Sequence, residues 1–307
     1  MSISVLISRI CALFIMLFCG CALVKAGICK PEDSRVLSKV SVYLAVPCSI
    51  INAFQVTYTD EVRNGLLLAY LAAVLTLVTV IVIMKLLDPV LRLSGIEKAS
   101  VIYSNAGNLV IPLVSSVLGE EWVIYSSAYL SVLLVFMWSH GKMIICGEKK
   151  PDIKKIVTNI NMIAIAIGLI FFITQIQLPS PIKSAASSLG AMTGPMAMLV
   201  TGMLNANTDI KKILSYHKIW LVAGLRLVAV PLVSLAILKY SGIAALVHNG
   251  SQILLITMIA TITPSASNVV QMAQVYNKDA AYAGAINVVT TLMCLITMPV
   301  MIYLYQM

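Results

Sequence analysis

Asn105-Ala-Gly-Asn-Leu-Val-Ile-Pro112 interrupts an apolar run long enough to cross a bilayer, and it is badly built for a helix. Gly107 is the poorest helix former after proline, and Pro112 lacks an N–H donor and crowds the preceding turn. Two amides, Asn105 and Asn108, flank the glycine. Backbone that leaves the helix at membrane depth persists only where protein buries it or where it lines a watery cavity. A second apolar run repeats the theme as Thr263-Pro-Ser-Ala-Ser-Asn268, with Thr261 just upstream. A proline kink with polar residues gluing helices together would account for either stretch alone. Two such breaks in corresponding halves are the sequence pointer to a secondary transporter's binding site.

The rest of the chain supports a membrane setting. Of its 307 residues, 60% are hydrophobic and 11% charged, with a mean hydropathy of +0.97. Soluble domains run near half apolar and a quarter charged. Ten apolar spans are read at about 4–25, 36–56, 64–87, 97–118, 122–145, 154–174, 185–206, 217–239, 250–274 and 280–305. The polar gaps between them are short, so one membrane domain covers 1–307. Residues 1–24 lack a small-residue cleavage site after the apolar run and are read as the first span.

Sixteen lysines and arginines fall in alternate loops, against Arg63, Lys183 and Lys239 in the opposite set. Positive-inside bias then puts both termini outside the cytoplasm, in a multi-pass cell-membrane protein. The net charge of +9 is topogenic and does not call for nucleic acid. Five spans per half make the halves antiparallel, so an inverted repeat is expected, with halves of about 1–147 and 152–307. Pro47 and Pro195 sit at similar depth in the second and seventh spans, and Val117-Leu-Gly-Glu-Glu-Trp122 and Val275-Tyr-Asn-Lys-Asp-Ala280 follow the two breaks. The expected fold class is all-α, ten transmembrane helices as a 5+5 inverted repeat.

Chemistry is narrowed by what the spans lack. All twelve acids lie in loops or at span ends, so no mid-membrane carboxylate offers a proton relay. His140, His217 and His248 also sit near span ends. No Ser/His pair or zinc-protease ligand set occurs within the spans, and the seven cysteines lie mostly in apolar runs without metal-ligand spacing. No catalytic residue, metal or cofactor is therefore expected, and the chain is read as no enzyme. Of the two arginines within spans, Arg9 is close enough to an end to snorkel. Arg226, deeper in, either snorkels or faces a cavity.

These residues resemble the auxin efflux carrier family, which includes bacterial malate-permease-like members and the plant PIN exporters. Asn105, Gly107 and Pro112 match the family's Asn-x-Gly-x-x-Gly-x-Pro-like pattern, with Val110 where the second glycine is usual. Pro264-Ser-Ala-Ser-Asn268, the downstream Ala273-Gln-Val-Tyr276, and Gly194-Pro195 with Gly202 are similar too. The resemblance implies a scaffold and a mobile, elevator-type transport part, with helices 4 and 9 crossing near the midplane. Asn105, Gly107, Asn108, Pro112, Pro264, Ser265, Ser267 and Asn268 are the substrate-binding candidates, with Pro47, Asn52, Pro195 and Arg226 as secondary ones. The expected function is efflux, as a uniporter, of a small organic anion such as a carboxylate or auxin-like weak acid. The partners are that anion and the lipid bilayer, and assembly as a homodimer stays open. A sodium-coupled symporter remains the alternative within transport; an intramembrane enzyme, channel or receptor are the alternatives of another class.

Overall fold

Long apolar stretches satisfy their backbone groups internally, and the described chain is accordingly helical throughout, without strands. The computed structural model describes residues 3–147, 153–207 and 217–307. Several residues of the charge count (Lys149, Lys150, Lys211 and Lys212) lie outside them, as do the side chains of Arg9, Asn108 and Pro112.

Among the described residues, five helices are long and apolar enough to span a bilayer: Pro31–Ala53, Asp60–Leu91, Glu120–Cys146, His217–Tyr240 and Ala280–Gln306. Shorter apolar helices include Ile160–Thr174 and Gly250–Ile262. Interruption is one reason length alone finds fewer helices than the apolar pattern does. The run 97–118 is divided into helices Gly95–Ile102 and Ala106–Val117. The run 250–274 becomes Gly250–Ile262 and Ser267–Val275. The run 185–206 becomes Ser180–Ala191 and Thr193–Asn205, where Pro195 sits in a first turn that needs no N–H from it. The opening stretch Ile3–Lys25 is a single helix.

Two helices bear a wide π turn just ahead of a proline. Ser41–Ala45 precedes Val46-Pro47, and Leu225–Ala229 precedes Val230-Pro231. Proline withholds a donor from the carbonyl four residues back and pushes its ring toward it; a wider turn relieves both.

The chain divides into two compact units: Met1–Val62 with Gly107–Ser127 and Thr158–Asp209, and Arg63–Ala106 with Ala128–Val157 and Ile210–Met307. In the first, helices Ile3–Lys25 and Thr193–Asn205 approach backbone to backbone through glycine. A Cβ on Gly202 would stand 1.9 Å from the Leu17 carbonyl oxygen, and one on Gly20 2.3 Å from that of Leu199. Small residues at such contacts are how membrane helices gain packing. Gly202→Ala should therefore force the helices apart and cost about 1–3 kcal/mol. Thermal melting in detergent checks this against Gly224→Ala, whose Cβ would meet nothing within 4 Å; equal melting of the two variants would refute the contact.

Candidate functional site

Both broken spans reach their breaks within the second unit. Ser94 caps the helix Gly95–Ile102 with a capping box: its hydroxyl accepts from the Glu97 N–H, and the Glu97 carboxylate accepts from the Ser94 N–H. Glu97 is buried and also accepts from the Tyr282 hydroxyl at 2.7 Å. The helix ends at Tyr103, which is extended. In the other span, Thr263 precedes Pro264 and is extended at φ −69°, ψ 157°, the conformation favoured before proline.

The two breaks bond to each other. The Asn105 N–H donates to the Pro264 carbonyl at 2.9 Å, and the Ala266 N–H donates to the Tyr103 carbonyl at 3.0 Å. Ser104 and Ser265 face one another in an isolated antiparallel bridge. Each break thus satisfies groups that the other has lost from its helix. This places the first break two to four residues upstream of Gly107, the position that propensity marks. Pro112 lies inside the helix Ala106–Val117 and does not make the break.

The carbonyls at the ends of both upstream half-helices are orphaned as at any helix C-terminus. Arg226 takes them. It is 1% exposed. Its Nε donates to Thr263 O at 3.0 Å, Nη1 to Val101 O at 3.1 Å and Ile102 O at 3.5 Å, and Nη2 to Thr261 O at 2.7 Å and Thr263 O at 2.8 Å. The expectation that Arg226 snorkels or faces a cavity is corrected: its fork fits the two helix ends, and every donor is used.

Two side chains of helix Ala280–Gln306 hold the second break from behind. Asn287 Nδ2 donates to Ser265 O at 2.6 Å, and Thr290 Oγ1 accepts from the Ser265 N–H at 3.2 Å. Neither was among the sequence candidates. Their signal was weak: two polar residues three apart on one face of a long apolar helix.

Asn105, Pro264, Ser265, Ser267 and Asn268 are brought together in this unit. Asn105 is 7% exposed, and its Oδ1 accepts from the Ser267 hydroxyl at 3.4 Å. The buried Ser265 hydroxyl has no hydrogen-bond partner among the described residues. Gly107, Asn108 and Pro112 belong to a helix counted with the first unit, as do Pro47, Asn52 and Pro195. There Asn52 Nδ2 donates to Glu120 at 2.6 Å. With Arg226 covering the carbonyl ends, the positive N-terminus of Ser267–Val275 and the Asn105 and serine side chains are left to act at the break. Such a set can hold a negatively charged group by hydrogen bonds. No group of three or more His, Cys, Asp or Glu that could hold a metal occurs among the described residues.

No curated protein matches the chain. A family model described as "Membrane transport protein" matches residues 5–302, nearly the whole length. The interrupted spans, the apolar helices and this match agree, and the chain belongs to the membrane transport protein family of auxin efflux carrier and PIN-like proteins.

Proposed function

We propose that the protein is a carrier of ten spans, arranged as a 5+5 inverted repeat of 1–147 and 152–307, that exports a small organic anion as a uniporter. The observation that carries this reading is the bonded pair of helix breaks, with its carbonyl ends already covered by Arg226. One part of the carrier moves as in an elevator, against a scaffold formed by the rest. A carboxylate or auxin-like weak acid binds at Asn105, Ser265, Ser267 and Asn268, beside the positive end of the downstream half-helix. An inside-negative membrane drives each unit of negative charge outward with about 2.3 kcal/mol per 100 mV. No proton coupling is needed where no mid-membrane acid stands.

Currents on a solid-supported membrane in sodium-free buffer at several pH values test this. Charge movement with a carboxylate or indole acid is expected. Strict dependence on a sodium or proton gradient would defeat it. Asn105→Ala should weaken binding by about 1–3 kcal/mol, since a ligand group loses its partner; unchanged affinity in a folded variant would make the amide structural only. Both termini lie outside the cytoplasm in this reading, so a reporter fused after Met307 should be silent in the cytoplasm, and cytoplasmic activity would sink the ten-span arrangement.

A further inference from the structure

Arg226 is charged and fully buried, and its hydrogen-bond partners are backbone. Its neighbours at hydrogen-bond distance are the carbonyl oxygens of Val101, Ile102, Thr261 and Thr263, between 2.7 and 3.5 Å away. No carboxylate forms an ion pair with it among the described residues. A salt-bridged arginine meets an acid; this one meets a cage of carbonyl dipoles drawn from two interrupted helices. Carbonyl oxygens are also what a bare metal cation takes, but here they are spread along a planar fork. In carriers with discontinuous helices, unwound carbonyls and half-helix C-terminal ends coordinate the coupling sodium.

We infer that Arg226 is a resident cation, supplying from a side chain the positive charge that a soluble cation gives such carbonyl ends, so that the crossing needs no soluble cation. The cage follows from the geometry alone. Its consequence, export independent of sodium, rests on the proposed transport function. The planar fork reaches both helix ends at once and ties them together permanently. A soluble ion would do so only while bound.

The test removes the resident ion and offers others. Purified full-length protein and its Arg226→Ala variant are melted in detergent at constant ionic strength with 1–20 mM guanidinium, sodium or choline chloride, concentrations of the order used for weak ligands. The wild type should be indifferent to all three. Arg226→Ala should gain about 3 °C, saturably, with guanidinium, and with sodium less or equally, but not with choline. A folded Arg226→Ala that responds to none of them overturns the inference, as does a wild type stabilised by sodium over choline. Should Arg226→Ala not be recoverable, Arg226→Lys and Arg226→Met are compared. Lysine melting well above methionine supports a required charge, and equal melting overturns it. Failure of anion transport, with cation rescue intact, would strike the proposed function and leave the resident cation standing.

Discussion

Replacing Arg226 by methionine should destabilise the purified protein by about 4 kcal/mol or more, lowering its melting temperature by roughly 10 °C. Buried ion pairs exchanged whole for apolar residues are often neutral. That escape is closed here, because the partners are main-chain carbonyls that no substitution deletes. Removal of the guanidinium orphans at least three of them, those of Val101, Thr261 and Thr263. Each buried acceptor left without a donor costs about 1–3 kcal/mol. The apolar gain of a methionine side chain, about 1.5–3 kcal/mol, does not match that loss. Arg226→Lys should fall between, since one ammonium offers three donors without the fork. Methionine melting like the wild type would remove Arg226 from the architecture of the crossing.

Ala266→Pro should be nearly as damaging, at about 3 kcal/mol, and should abolish transport. The N–H it removes is one of two that join the breaks, and the Tyr103 carbonyl it leaves belongs to a residue with 0% exposure. Ala266→Gly keeps the donor and serves as the control, costing no more than about 1 kcal/mol. Melting and uptake in proteoliposomes are read together. A proline variant with native uptake would show that the bridge is not required.

The second break was legible because proline acts locally. Pro264 disfavours helix at Thr263, and the break lies there. The first break was read only to its neighbourhood. Gly107 and Pro112 mark weak helix, yet the chain leaves the helix at Tyr103 to Asn105, where the bonding partner Pro264–Ala266 lies. That position is set by tertiary pairing, which propensity does not contain. Arg226 was noticed as an expensive charge, but its partners are backbone oxygens 35 to 125 positions away and carry no side-chain signature. Asn287 and Thr290 were passed over for the same reason: each serves the main chain of Ser265. Ser94-Gly-Ile-Glu97 spells a capping box and could have fixed the start of its half-helix from sequence alone.

The arginine cage also bears on how the chain is made. Helix His217–Tyr240 must enter the bilayer carrying a charge that costs about 2.5–3.5 kcal/mol at a helix centre. Val101 and Ile102 have been synthesised by then, whereas Thr263 lies 37 positions downstream of Arg226. At 5–20 residues per second, about 2–7 s pass before the second set of carbonyls emerges from the ribosome. During that interval the helix is held in the membrane by its leucines, isoleucines and valines with Arg226 half served. Slower translation after residue 240 would prolong that interval.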